Sequence, residues 1–207
     1  MDKPDVYTVY NDVYGVYMAS VTGERIAVIA HDLLLAEGSA AVTMRRVATV
    51  AGLTPMAIYR HFPNRESLLD SVAATCFAEL ARTWGERDWS TDFERQLDEA
   101  LGLYLDFALG QPHVYTFLFT EQRAGARRFP DDASASPTLS VLADALTTGM
   151  RGGILRQDDV WELTLIISAT LHGLVQLRAG GRLALPDDDF RALCRRALGR
   201  VLDGVRA

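Results

Sequence analysis

Apolar residues recur at helical spacing through most of this chain, and the breaks between the periodic stretches carry helix start and stop signals. Over residues 22–37, Ile26, Ile29, Ala30, Leu33 and Leu34 share one face; Thr22 can cap the start and Gly38 ends it. Thr43 can cap a second helix to about residue 51, where Gly52 supplies the terminating conformation. Thr54 followed by Pro55 is an N-cap with proline at the first helical position, and predicts a short third helix to roughly His61. Asn64 can cap a fourth, with Leu68, Leu69, Val72, Cys76 and Leu80 along one side to about Trp84.

Beyond Trp84 the composition shifts to Ala, Leu and aromatics. Thr91, Asp92, Phe93 and Glu94 form a capping box that opens a helix to about residue 109, and Gly110 breaks it. A short aromatic segment from Pro112 to Phe119 comes next, then a surface loop over 124–136 rich in Gly, Ser, Asp and Arg. Ser136 and Pro137 open a helix to about residue 150. One long apolar helix follows over 158–179, with Leu163, Ile166, Ile167, Thr170 and Leu174 on overlapping faces. The last opens at Pro186 and carries Phe190, Leu193, Cys194, Ala197, Leu198, Val201, Leu202 and Val205. The pattern predicts an all-α protein with an extension over 1–21, a three-helix N-terminal domain over 22–80 and a helical C-terminal domain over 81–207. In the extension, Val6, Val9, Val13 and Val16 run beside Tyr7, Tyr10, Tyr14 and Tyr17. On a helix these make an apolar stripe that packs on this protein or a partner.

Charge changes the picture. The chain has a net charge of −6 and a pI of about 5.2, which taken whole argues against a nucleic-acid binder. Residues 42–65 nevertheless hold Arg45, Arg46, Arg60 and Arg65 and no acidic residue. An acidic body with such a local reversal is repelled from a polyanion everywhere except at that head. Within the same window Ala48 is small where two helices cross, Gly52 sits at the turn, and Ile58 faces Ala48. This is the arrangement of a helix-turn-helix.

The run T-x-R-x-V-A-x-x-A-G-L-T-x-x-x-I-Y-R-H-F-P-N-R-E-S-L-L resembles the DNA-binding domain of the TetR family, the tetracycline-repressor-like transcriptional regulators. The resemblance covers residues 23–80. It is also visible at Leu171, His172, Gly173 and Leu174, which is similar to a His-Gly helix in the ligand domain of one subgroup. Three positions depart from the family pattern. Pro55 and Met56 stand where lysine and glycine are usual, and Arg65 stands where lysine is frequent.

The resemblance implies a repressor that reads a pseudo-palindromic double-stranded operator. In a helix-turn-helix the start of the second helix lies against base edges, here Thr54, Pro55 and Met56, whose apolar surface suits thymine methyls. Arg60 is a candidate for guanine or phosphate, and Arg45 approaches from the preceding helix. Tyr59 and His61 face the backbone by resemblance, and Thr43 and Arg65 bond phosphates at helix N-termini. In the C-terminal domain, Tyr104, Phe107, Phe117 and Trp161 among the polar His113 and His172 suggest a pocket for a small apolar or aromatic effector. Core packing explains each aromatic equally well. The last two helices suit a homodimer interface, which spaces the recognition helices roughly 34 to 36 Å apart or a small multiple of it.

No nucleophile elbow, metal-ligand spacing or glycine-rich phosphate loop occurs, so neither an enzyme nor a cofactor is expected. Cys76 and Cys194 lie in apolar helical patterns and read as reduced and buried. The start lacks the basic and apolar regions of a signal peptide, and no apolar run is expected to reach membrane-spanning length, so a cytoplasmic protein is expected. The alternative reading is a dimeric ligand-binding or protein-binding module without specific DNA recognition, and the departures at Pro55 and Met56 are what favour it.

Overall fold

A computed structural model describes residues 21–87, 89–121 and 136–207. The tyrosine and valine stripe of the extension and nearly all of the loop expected over 124–136 lie outside the described residues. In chain order the helices are α1 (Val21–Glu37), α2 (Met44–Ala51), α3 (Pro55–Tyr59), α4 (Arg65–Gly85), α5 (Phe93–Gly110), α6 (Pro112–Phe119), α7 (Pro137–Arg151), α8 (Val160–Ala179) and α9 (Asp187–Asp203). A short 3-10 turn, Ser39–Ala41, joins α1 to α2. Among the described residues extended pairing is confined to one isolated antiparallel bridge, Leu155 with Arg206. The all-α expectation therefore holds.

The described chain falls into two compact units. One comprises the residues up to Thr83 together with 111–121, the other 84–110 and 136–207. In the first, Ile26, Ala30 and Leu34 of α1 are fully buried, as are Val47 of α2, Ile58 of α3 and Leu68 and Val72 of α4. α6 packs on α1. Its aromatic side chains stack within this unit: the Phe119 ring lies 5.3 Å from Tyr115 and edge-on to Phe77 of α4 at 6.3 Å. Proline at the start of α6 costs no hydrogen bond there, because the first amides of a helix have no intrahelical partner.

In the second unit α5, α7, α8 and α9 pack about Phe93, Leu105, Leu146, Ile167 and Phe190, each almost wholly removed from solvent. Gly149 allows α7 to approach α5, since a Cβ at that position would stand 2.7 Å from the Phe93 ring. α8 turns Leu163, Ile167, Leu171 and Val175 inward and leaves Leu165, Ile166 and Leu177 exposed. By length and composition α8 is apolar enough to cross a membrane, which differs from the expectation that no apolar run reaches that length. It packs here against α7 and α9. Cys194 is buried, and desolvation pushes its thiol up to about 11 despite the nearby cations Arg178 and Arg191. Cys76 is likewise buried.

Some boundaries differ from those the sequence predicts. Asp92 caps α5 in place of Thr91: its Oδ1 accepts from Arg95 N at 2.9 Å, while its own amide donates to Ser90 Oγ at 3.2 Å. A carboxylate is the stronger acceptor for a helix N-terminus, so the helix begins one residue later. α3 closes at Tyr59, two residues early. His61 and Phe62 both donate to the Ile58 carbonyl, and Phe62 precedes Pro63, which disfavours further helix.

Candidate nucleic-acid interface

The helix-turn-helix is assembled from its helix ends. Thr43 caps α2 by accepting the Arg46 amide at 3.2 Å. Gly52 ends α2 at φ 67°, a left-handed conformation that costs glycine nothing, and Leu53 N then returns to the Ala48 carbonyl at 2.9 Å. Thr54 caps α3 through Ala57 N at 3.3 Å. Asn64 and Ser67 cap α4: Ser67 N donates to Asn64 Oδ1 at 2.7 Å, and the Ser67 hydroxyl donates to the Asn64 carbonyl at 2.9 Å. Ala48 and Ile58 are buried where α2 and α3 meet, which fixes the outer face of α3.

That outer face carries Pro55, Met56, Tyr59 and Arg60, all exposed. Met56 is 66% and Tyr59 48% accessible, unusual for side chains of this size. Thr43, Thr54 and Arg45 are exposed beside them, and His61 is half-buried. Each capping threonine uses its oxygen as acceptor and keeps its hydroxyl hydrogen to give.

The arginines divide into two groups. Arg45 and Arg60 form no ion pair or side-chain hydrogen bond among the described residues, so their charge is free for a ligand. Arg46 is paired with Glu37 of α1. Arg65, at the start of α4, donates Nε–H to the Val42 carbonyl at 2.7 Å and Nη2–H to the Ser39 carbonyl at 2.6 Å. Sequence reasoning passed over Arg25, whose guanidinium donates to the Ala51 carbonyl at 2.9 Å and so ties α1 to the C-terminus of α2. A cation opposite a helix C-terminus is a favourable pairing, but α1 and α2 meet only in the fold, so no local pattern announces it.

The candidate effector residues fall in both units. Tyr104 and Phe107 are half-buried on α5, and Trp161 and His172 half-buried on α8, all in the second unit. Burial lowers the pKa of His172 from its ordinary 6.5, so its imidazole is neutral at neutral pH and offers one donor and one acceptor. Phe117 and His113 stand on α6 in the first unit; Phe117 is buried and His113 is exposed with its ring against Gly38. Trp89, another aromatic of the second unit, donates its indole N–H to the Trp84 carbonyl at 3.0 Å and packs on that ring. Among the described residues no three His, Cys, Asp or Glu side chains converge as metal ligands.

Comparison with known proteins follows the same division. Residues 26–72 match the family model of bacterial regulatory proteins of the tetR family, and residues 97–201 match that of the tetracyclin repressor-like C-terminal domain. An HTH-type transcriptional regulator of Mycobacterium tuberculosis is 25% identical over 131 residues, which is 61% of this chain and 56% of that protein. The match thus spans about half the length of the curated relative. Two solved structures share the fold. A protein of unknown function from Rhodococcus sp. RHA1 superposes with a TM-score of 0.72 at 21% identity, covering 93% of this chain and 100% of that one. A TetR-family transcriptional regulator from Pectobacterium atrosepticum gives 0.66 at 22% identity, covering 90% and 94%.

Proposed function

The chain belongs to the tetracyclin-repressor-like family of bacterial transcriptional regulators, and from that premise we propose that it is a homodimeric repressor released from a pseudo-palindromic DNA operator by a small apolar or aromatic effector. The observation that carries the reading is the outer face of α3: Met56, Tyr59 and Arg60 exposed, with the unpaired Arg45 alongside and capped helix N-termini on either side.

α3 enters the major groove. Thr54, Pro55 and Met56 meet base edges, Met56 as an apolar contact and Arg60 as a donor fork to guanine or phosphate. Thr43, Tyr59 and His61 meet the sugar-phosphate backbone and set register without reading sequence. Arg45 adds an unneutralised charge, so affinity falls as salt rises. Two copies pair through the outer face of α8, where Leu165, Ile166 and Leu177 are exposed, joined by the half-buried Leu193, Ala197 and Val201 of α9. Tyr104, Phe107 and Trp161 supply apolar surface for the effector, and neutral His172 gives it one polar partner. An effector that favours one arrangement of the dimer weakens DNA binding by the ratio of its affinities for the two states, commonly about 1 to 3 kcal/mol. Acting on chromosomal DNA, the protein works in the cytoplasm.

Selection of bound duplexes from a random pool, followed by titration of the recovered sequence at several salt concentrations, tests this reading. A palindrome whose affinity drops steeply with salt is the expected result. No enrichment of any sequence would sink the regulator and leave a dimeric binding module.

A further inference from the structure

The connection between α1 and α2 is gripped from two sides. Arg65 at the start of α4 spans it, with Nε–H on the Val42 carbonyl and Nη2–H on the Ser39 carbonyl. From the end of α6 the Glu121 carboxylate accepts the Ser39 hydroxyl, and the His113 ring lies against Gly38, where a Cβ would stand 3.2 Å from its Nδ1. None of the three residues of the Ser39–Ala41 turn is buried, so packing does not hold the turn in place. Directional bonds must do so.

We infer that Arg65 is a positioning residue of the DNA-reading surface, bracing the start of α2 against the start of α4 through the Ser39 and Val42 carbonyls. The inference rests on the reading of this protein as a DNA binder. The two helix starts joined in this way are those capped by Thr43 and Asn64, so the brace fixes the separation at which two backbone amide clusters meet the sugar-phosphate chain. Bridging two carbonyls at fixed spacing requires a planar fork of donors. A lysine ammonium on a flexible stem keeps the charge and loses the fork, which makes Arg65→Lys the informative substitution.

Wild type, Arg65→Lys and Arg65→Gln are compared on the duplex recovered by selection, across several salt concentrations and well below each melting temperature. Amide hydrogen exchange is measured on the same proteins without DNA. A brace predicts faster exchange over residues 42–44 in both variants and about a tenfold loss of affinity in both, the scale of one or two hydrogen bonds to a charged group. The slope of affinity against salt stays at the wild-type value, and lysine does not rescue. A phosphate ligand gives the reverse: unaltered exchange, lysine close to wild type, and a slope reduced by about one per Arg65 in the glutamine variant. That result overturns the inference. Faster exchange with unchanged affinity overturns it too, because Arg65 would then serve stability alone. Should the glutamine variant fail to fold, the lysine variant decides between the same outcomes. If wild type enriches no duplex, the regulator reading fails, and exchange without DNA still reports whether Arg65 holds the connection.

Discussion

In the N-terminal unit α3 buries a single side chain, Ile58, whereas in the second unit α5 alone buries Phe93, Gln96, Leu97, Ala100, Leu101, Leu105 and Ala108. The first region orients its reading helix with directional bonds at helix ends: caps from Thr43, Thr54 and Asn64, and guanidinium bonds from Arg25 and Arg65 to backbone carbonyls. The second is held by interlocking volume, with ion pairs on its outside such as Arg195 with Asp98 and Arg191 with Asp106. A short helix anchored at its ends can turn nearly all of its side chains toward a ligand. A bundle built on volume cannot, and what it leaves outside is the face that its own core did not need. The two exposed apolar surfaces differ accordingly. Met56 and Tyr59 stand among free arginines, while Leu165, Ile166 and Leu177 occupy a stretch of α8 with no Asp, Glu, Lys or Arg between Glu162 and Arg178. The former suits a polyanion, the latter a second apolar surface.

The strongest test of that contrast is a charge on α8. Ile166→Asp buries an unpaired carboxylate if two copies meet there, a cost of several kcal/mol, and raises the dimer dissociation constant by about 100-fold or more. Sedimentation velocity over a concentration series measures it. An unchanged oligomeric state would remove α8 from the interface, and the bundle would then expose its apolar face for another reason.

Within the bundle, Gly149→Ala tests packing by volume. The new methyl meets a Phe93 ring that is itself 2% exposed and has nowhere to retreat, so overpacking of about 1 to 3 kcal/mol is expected by urea denaturation. In the head the comparable test is a cap. Thr54→Ala removes the acceptor for Ala57 N and costs about 1 kcal/mol, with α3 losing hydrogen-exchange protection first. A Gly149→Ala loss of no more than a few tenths of a kcal/mol would mean that the Phe93 ring can give way and that volume does not hold the bundle.

How far the sequence could be read follows the same contrast. Periodicity, the prolines at Pro55 and Pro137, and the glycine at Gly52 are local signals, and they set their helices to within a residue or two, whereas the segment from Pro112 read only as aromatic and folds as α6. The TetR-like run around Thr43 and Arg65 carried the family. The pairing of Arg46 with Glu37, and the bonds from Arg25 and Arg65 to carbonyls 26 and 23 residues away, depend on which helices meet. No local pattern records that. The window shows four arginines without an acid, and only the fold shows that Arg46 pairs with Glu37 and that Arg65 bonds backbone carbonyls. The approach of the His113 ring to Gly38 is likewise a contact between elements that no local pattern records.

The finest distinction concerns the bundle's own imidazole. His172 follows the buried Leu171 on α8 and is half-buried, and desolvation alone lowers its pKa from 6.5. Between its folded value and 6.5 the unfolded chain therefore binds more protons than the folded one, so stability rises with pH across that window. Above 6.5 His172 is neutral in both states and contributes nothing to the slope. Acidification below 6.5 should thus weaken the wild type, and His172→Gln should remove that part of the loss, read from urea midpoints between about pH 5 and pH 7.5. A variant that keeps the whole slope would assign it to other groups, and the outside of the bundle, where its carboxylates pair with arginines, would then govern its response to pH. A flattened slope would show that the bundle tolerates an imidazole inside only in its uncharged form.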